Sequence, residues 1–128
     1  MPRTKKPLTK SQLGDKLDKA WSKAILSKGK CEMCSKTQSL NPHHIEGRRN
    51  YRLRWDLRNG CCLCAGCHVF KKDSAHQSPE NFHFWLEENR WEDLQYIMCV
   101  RNEIKKWTLE DMQDQLDNLN KYIDKEQE

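Results

Sequence analysis

The sequence predicts a small α+β domain that is mainly helical, and three observations point to this class. The chain has 128 residues, of which 36% are hydrophobic and 33% charged, which suits one domain with a modest core. Apolar residues recur at helical spacing over most of its length, and two short segments suit strands. Seven cysteines, four of them in two C-x-x-C pairs, indicate that bound metal supplies stability that a small core lacks.

The first helix is expected to begin at Ser11, which can cap it, and to end near Gly29. Its apolar face is most simply a core face and consists of Leu13, Leu17, Trp21, Ala24 and Ile25. Residues 1–10, which precede this helix, contain four basic residues, two prolines and no acid. We expect a flexible arm that either contacts phosphates or only solubilises the chain.

Three more helices are expected toward the C-terminus. The second begins at Ser78-Pro79, and the third spans about 91–105. The residues expected on their core sides are Phe82, Trp85 and Leu86, and then Leu94, Ile97, Met98 and Ile104. The last helix follows a capping-box pattern at Thr108 and Asp111. Its apolar seam suits packing on another helix, of this chain or of a second copy, and consists of Leu109, Met112, Leu116, Leu119 and Ile123.

Two short strands are expected between the first two helices. Residues 43–45 (HHI) suit one strand and residues 61–63 (CCL) the other, since cysteine behaves as a small apolar residue. Residues 65–76 (AGCHVFKKDSAH) are then expected to form a short helix. Adjacent side chains of a regular strand point to opposite faces, so His43 and His44 can serve one site only if the strand end at 42–45 is irregular.

The two C-x-x-C pairs, Cys31–Cys34 and Cys64–Cys67, predict a structural zinc site. This spacing lets two thiolates bind one ion from a tight turn, and two pairs complete the tetrahedral shell that zinc prefers. A closed four-thiolate shell leaves no open position, so the ion would hold the 29 intervening residues in place. Cys61, Cys62 and Cys99 are expected to be small core residues, with Cys62 the one that could compete as a ligand.

The charge of the chain is distributed unevenly. Up to residue 58 it has 15 Lys/Arg against 5 Asp/Glu, whereas from residue 108 onward 7 acids face 2 bases. A basic half of this kind suits a polyanion. No apolar run approaches a membrane span or a signal-peptide core in length, so we expect a soluble, cytoplasmic protein that does not bind a membrane.

The order His43-His44, Asn59 and Cys64-x-x-Cys67-His68 resembles the HNH endonuclease family, in its four-cysteine form that bacteriophages often encode. The resemblance covers about residues 31–76, over a third of the chain. It implies a ββα-metal core, in which a β-hairpin and a helix clasp one catalytic divalent ion. It also implies a role for each matching residue: His44 as general base, Asn59 as the brace of the hairpin, and His43 and His68 as ligands of that ion.

Many members of the family have aspartate where His43 stands. The histidine makes the site neutral and softer, which favours Mn²⁺, Ni²⁺, Co²⁺ or Zn²⁺ relative to Mg²⁺. The chemistry of phosphodiester hydrolysis also suits these residues. A neutral imidazole can take a proton from water near neutral pH, and a metal ion can neutralise the phosphoryl oxygen and the leaving alkoxide.

Basic residues near the motif are expected to contact DNA phosphates, and they are Arg48, Arg49, Arg52, Arg54, Arg58, Lys71 and Lys72. The alternative is a solvated basic loop with Trp55 simply buried. Glu46 is expected to be a turn residue rather than an extra ligand, and His76 and His83 to be structural or surface residues.

These patterns divide the chain into a basic arm (1–10), a nuclease domain (11–90) and a C-terminal helical extension (91–128). The expected function is metal-dependent DNA hydrolysis with little sequence specificity. The resemblance implies 3′-hydroxyl and 5′-phosphate ends and a role in phage recombination or DNA processing. The cytoplasm would then be that of the host cell. The alternative is a non-catalytic, zinc-stabilised module that binds nucleic acid. The extension either packs on the domain or mediates a homodimer or a larger complex.

Overall fold

The computed structural model describes residues 6–127, so the first five residues of the predicted arm lie outside it. Four α-helices surround a two-stranded antiparallel sheet, and the predicted mixed, mainly helical class is confirmed. The elements in chain order are α1 (Lys10–Leu26), β1 (Leu40–His44), a 3₁₀ turn (Leu57–Asn59), β2 (Gly60–Cys64), a π-helix (Gly66–Phe70), α2 (Pro79–Asn89), α3 (Trp91–Val100) and α4 (Leu109–Glu126). None of the described helices is both long and apolar enough to span a bilayer.

Helix α1 begins two residues earlier than the expected Ser11 cap implies. Thr9 is the cap, because its hydroxyl accepts from the Gln12 N–H while the Gln12 side chain accepts from the Thr9 N–H. The helix ends at Leu26, and Gly29 follows with a φ of +75°, a conformation that glycine adopts without steric cost. The whole predicted apolar face of α1 is buried.

Helix α4 packs its seam against α1. Met112, Leu116, Leu119 and Ile123 are buried in the same core cluster as the apolar face of α1, and Leu109 at the start of the helix is 44% exposed. The capping box at Thr108 and Asp111 is confirmed. The partner of the seam is therefore a helix of this chain, and association with a second copy stays a prediction that would use another surface.

Replacing Leu119 by alanine is expected to lower the free energy of unfolding by about 2–5 kcal/mol, because the substitution leaves a cavity between α1 and α4. The matched control is Leu109→Ala in the same helix, for which we expect about 0.5 kcal/mol. Urea unfolding of both variants measures the difference. Equal losses would contradict the packing of the seam on α1.

Both predicted strands are confirmed, and they are longer than expected. Their register runs from Leu40 opposite Cys64 to His44 opposite Gly60. Gly60 is required there, since a Cβ atom would come within 2.1 Å of the Ile25 side chain where α1 crosses the sheet. The irregular strand end predicted at 42–45 is wrong: pairing is continuous through His44, and the Ile45 N–H then donates to the Asn59 carbonyl oxygen at 2.9 Å.

Helix α3 is shorter than the predicted span of 91–105. It ends at Val100, so Ile104 lies in the following linker and is 90% exposed. Leu94 and Ile97 are buried as expected, whereas Met98 is exposed. Cys99 is exposed as well, so its prediction as a core residue is wrong, while Cys61 and Cys62 are buried.

Candidate metal centres

The four cysteines of the two C-x-x-C pairs converge as predicted. The Sγ atoms of Cys31, Cys34, Cys64 and Cys67 all lie within 4.8 Å of one another, and those of Cys34 and Cys64 are 3.6 Å apart. Two sulfurs bound to one tetrahedral zinc at about 2.3 Å would be about 3.8 Å apart. The cluster therefore has the composition and the spacing of a four-thiolate zinc site.

Ionisation within this cluster also suits a cation. Burial opposes ionisation of the Cys64 thiol, but the Cys67 N–H and neighbouring thiols donate to its sulfur and lower its pKa to about 7. The pKa of Cys67 is raised instead, by burial and by the nearby thiols. Ionisation of one thiol thus opposes ionisation of its neighbours, so four thiolates together require a positive ion between them.

The Cys31–Cys34 turn is tied to β2 by Glu32. Its carboxylate accepts from the Cys62 N–H at 2.6 Å and from the Arg90 guanidinium at 3.1 Å. Despite its burial, the pKa of Glu32 is lowered by the Cys62 N–H and by Lys28 and Arg90. Cys62 itself is not part of the cluster, so it does not compete as a ligand.

Three histidines form a second group that could hold a metal ion. The ligand nitrogens of His43, His68 and His76 all lie within 4.8 Å of one another, and the Nε2 atoms of His68 and His76 are 3.0 Å apart. Nitrogens of two imidazoles that bind one ion at about 2.1 Å would be about 3.0–3.4 Å apart. We refer to these three residues as the histidine trio.

His76 was expected to be a structural or surface residue. It is exposed, but the chain reverses after the π-helix and brings it back beside His68, with the Ala75 and His76 N–H groups donating to the Cys67 and His68 carbonyl oxygens. The expected helix over 65–76 is wrong beyond Phe70. Had it formed, eight residues would have separated the two imidazoles by about 12 Å.

The imidazoles of the trio are suited to bind a cation. Burial, together with repulsion from His68, His76 and His44, lowers the pKa of His43 to about 3. Burial and His76 also lower the pKa of His68. Both rings are therefore neutral near pH 7, and only a neutral imidazole has the free lone pair that a metal needs.

His44 lies beside the trio but is held by different residues. Its ring stacks on Trp21 of α1 with a centroid distance of 3.8 Å and an interplanar angle of 8°. Its Nε2 atom is 3.0 Å from the Arg54 carbonyl oxygen. A carbonyl oxygen only accepts, so Nε2 carries the proton and Nδ1 keeps its lone pair.

His43 and His44 thus leave a regular strand on opposite faces. The His43 ring contacts Phe82 of α2, whereas the His44 ring contacts α1. Both still border one cavity of about 440 Å³, because they are the last two residues of β1. Polar side chains also border it, among them His76, His83 and Arg101. Apolar residues of α2 and α3 form part of its remaining wall, and they are Phe82, Leu86, Leu94, Ile97 and Met98.

Asn59 is fully buried and braces the segment after His44. Its side-chain amide donates to the Glu46 and Leu53 carbonyl oxygens at 2.9 and 3.2 Å, and its Oδ1 atom accepts from the Glu46 N–H at 2.6 Å. Glu46 contributes its backbone to this arrangement and is not among the grouped metal-ligating side chains. The position of Asn59 fits the bracing role expected from the sequence.

Replacing Asn59 by alanine is expected to lower the free energy of unfolding by about 2–4 kcal/mol, because one buried and two half-buried backbone groups lose their partner. Asn102→Ala, in the exposed linker after α3, is the control and should have little effect. Thermal unfolding of the zinc-loaded proteins measures the difference. A melting temperature of Asn59→Ala equal to that of the wild type would contradict the bracing role.

Four of the five arginines that were expected to contact DNA have partners within the protein. Arg54 binds Asp18 of α1 through two hydrogen bonds of 2.9 and 2.7 Å, and the more exposed Arg48 binds the same carboxylate at 3.3 Å. The Trp55 indole N–H also donates to Asp18. Asp18, which the sequence did not single out, therefore fixes the segment whose carbonyl oxygen holds His44.

The other basic residues that were expected to contact DNA differ in whether their side chains have partners within the protein. Arg52 pairs with Glu103 at 3.0 Å and Arg58 with Asp93 at 2.8 Å, whereas Arg49 is exposed without a hydrogen bond among the described residues. Lys71 places its Nζ atom 3.8 Å from the Cys67 sulfur, beside the cysteine cluster, and Lys72 is exposed. Their contacts with DNA stay a prediction.

Comparison with known proteins gives no relative from which a function could be transferred. No protein-family model matches the chain, and no curated protein or solved structure matches it either. The candidate sites consequently rest on the geometry of the cysteine cluster and of the histidine trio.

Proposed function

We propose that this chain is a metal-dependent DNA endonuclease whose active site is of the HNH type. The observation that carries the proposal is the histidine trio, which meets at the end of the β1–β2 ribbon beside His44. A module that only binds nucleic acid has no use for three converging imidazoles next to a fourth with a free Nδ1 atom. The cysteine cluster, close by in the fold, supplies the rigid frame.

Each residue has a defined task in this reaction. A divalent ion at the trio, when bound, supplies positive charge for the phosphoryl oxygen and the leaving alkoxide. His44 takes the proton of the attacking water at Nδ1, since its Nε2–H is engaged by Arg54. Trp21 and Arg54 keep the imidazole from turning, and Asn59 holds the chain that follows it.

The basic first half of the chain supports DNA as the substrate class. Among the arginines of the motif, Arg49 is the most available for phosphates, because it is exposed and has no hydrogen bond among the described residues. Arg48 follows, since its side chain is 64% exposed although it contacts Asp18 at 3.3 Å. Arg52, Arg54 and Arg58 already bind carboxylates, so a phosphate would have to share or displace those partners. Contacts of this kind act on the backbone and favour cutting without strong sequence preference.

A plasmid-nicking assay tests the proposal. Zinc-loaded protein is incubated with supercoiled DNA and Mn²⁺, Mg²⁺, Ni²⁺ or Co²⁺, and without an added divalent ion. We expect nicking only with the added ion. If no ion supports nicking while the protein still shifts DNA in a salt-sensitive manner, the protein is the non-catalytic, zinc-stabilised module instead.

Replacing His76 by alanine is expected to weaken binding of Mn²⁺ or Co²⁺ at the trio by at least about tenfold. Loss of a residue that only orients a ligand already costs about 10–100-fold, and His76 would be a ligand itself in the proposed site. The matched control is His83→Ala, because His83 pairs with Glu87 on the surface of α2 and should leave the affinity unchanged. Calorimetric titration of zinc-loaded protein measures both. Equal affinities would remove His76 from the site.

A further inference from the structure

A second cavity is bordered by Arg54 and shares no lining residue with the cavity beside His43 and His44. Its volume is about 450 Å³, within the range of about 300–1,000 Å³ that is usual for small-ligand sites. It is bordered by the start of α1, the segment 51–55 and the linker before α4. We call it the Trp55 cavity, and the residues that matter here are Gly14, Tyr51, Arg54, Trp55, Lys105 and Trp107.

Aromatic rings dominate this cavity. Trp55 is buried and lies edge-to-face with Tyr51 and with Trp107, at centroid distances of 6.1 and 5.0 Å. Tyr51 is 53% exposed, and the half-buried Trp107 is fixed by its indole N–H, which donates to the Tyr51 carbonyl oxygen at 2.9 Å. Tyr51 and Trp107 therefore offer preorganised ring surface to a planar guest.

Gly14 keeps the cavity open at a cost to the helix. It lies in the interior of α1, where glycine is about 1 kcal/mol less favourable than alanine. Packing does not demand glycine, because an added Cβ atom would meet its nearest neighbours, in Trp55 and Met112, at 3.8 and 4.0 Å. A larger side chain at this position would instead project into the space beside Trp55.

The charges at the cavity suit a nucleotide strand. Lys10 and Lys105 lie at its border. The Nζ atom of Lys105 is 5.0 Å from the Trp107 ring centroid and 3.5 Å from a carboxylate oxygen of Asp111, a partly exposed pair that a phosphate would have to share. Asp18 is neutralised by Arg54, so Asp15 is the remaining carboxylate at the border and can accept hydrogen bonds from base N–H groups. Arg54 joins this cavity to the active site, since its side chain borders the cavity and its carbonyl oxygen holds His44.

We propose that the Trp55 cavity binds an unpaired nucleobase of a DNA strand, with Lys10 and Lys105 contacting the phosphates beside that base. The inference rests on the proposed function, because it assigns the cavity to the same DNA substrate. Stacking on aromatic rings accepts any base, so this site confers a preference for unpaired DNA and not for a sequence. A fully paired duplex offers it no base.

The test compares two labelled single-stranded oligonucleotides of equal length, one with bases and one abasic throughout. Both have the same phosphates, so their difference in affinity reports base binding alone. Fluorescence anisotropy with the zinc-loaded full chain, without a second divalent ion, should give about 5- to 150-fold tighter binding of the base-containing strand. Equal affinities would overturn the proposal.

Two substitutions test whether the base binds in the Trp55 cavity. Tyr51→Ala and Gly14→Leu should each reduce the preference for bases to less than half, the first by removing an exposed ring and the second by filling the cavity. The control is Phe84→Ala, which removes an equally exposed ring from α2 and should keep the full preference. Gly14→Ala should raise the melting temperature while weakening the preference, which a purely structural role for Gly14 would not produce.

A preference for bases that survives both Tyr51→Ala and Gly14→Leu would overturn the assignment to this cavity. Tyr51→Ala decides alone if the leucine variant does not fold, because Tyr51 is exposed. Failure of the proposed function would give a different result from failure of this inference. No divalent ion would then support nicking, but the wild type would still prefer the base-containing strand and Tyr51→Ala would lose that preference. In that case the cavity stands as the base site of a non-catalytic module.

Discussion

Replacing His44 by alanine is expected to reduce the rate of DNA nicking by about 10²–10⁴-fold, the usual contribution of a general base. The reason lies in the tautomer that the structure imposes. The Arg54 carbonyl oxygen engages Nε2–H, so Nδ1 keeps its lone pair in a ring that borders the same cavity as His43 and His76. Nicking rates of the wild type and the variant with saturating Mn²⁺ measure the loss.

Two controls make this result specific to proton transfer. The affinity of the variant for Mn²⁺ should equal that of the wild type, because His44 is not part of the trio. His83→Ala, which removes a different imidazole of the same molecule, should nick at the wild-type rate. Equal nicking by His44→Ala and wild type would exclude His44 as the base, and a parallel loss of Mn²⁺ binding would make it a ligand.

Replacing Cys64 by serine is expected to abolish binding of zinc and with it the native fold of the β1–β2 region. Structural zinc contributes about 10–16 kcal/mol in small domains that depend on it, which matches or exceeds the whole stability of about 5–15 kcal/mol of an ordinary domain. Cys64 is also the last residue of β2, so loss of its metal bond releases the strand directly. Zinc content and circular dichroism of the purified variant measure the effect.

The matched control for this experiment is Cys99→Ser. Cys99 is exposed and lies outside the cysteine cluster, so the variant should keep one equivalent of zinc and the wild-type melting temperature. A Cys64→Ser protein with full zinc content and unchanged melting would show that the four thiols do not bind the ion together.

The cysteine cluster was predictable from sequence because the rule behind it is local. A C-x-x-C turn presents two thiolates to one ion independently of the rest of the fold. A four-thiolate site then requires only that the two turns lie close together. Capping boxes are similarly local, and the one at Thr108 was found in the sequence. Thr9 was overlooked because Ser11 offered a second plausible cap within the same turn.

His76 was not predictable in the same way. Its place beside His68 depends on a chain reversal that Ser74 and Gln77 stabilise, through hydrogen bonds to the Val69 carbonyl oxygen. Such a turn has no regular period, and the segment resembled a short helix. The contact between Trp21 and His44 was not predicted for another reason. The position of Trp21 on an apolar helical face indicates a core residue, and it is buried. Only the fold shows that the His44 ring stacks on it.

Because the His44 ring packs on α1, the segment 31–76 would not reproduce the candidate site in another protein by itself. Residues 31–76 contain every side chain of both metal groups, yet Trp21 and Asp18 lie outside that stretch. A graft of the stretch onto a foreign scaffold would transfer the candidate ligands, but His44 would lose the Trp21 ring that it stacks on. Transfer of this segment between proteins during evolution would therefore have to include α1, or another element would have to pack behind the His44 imidazole.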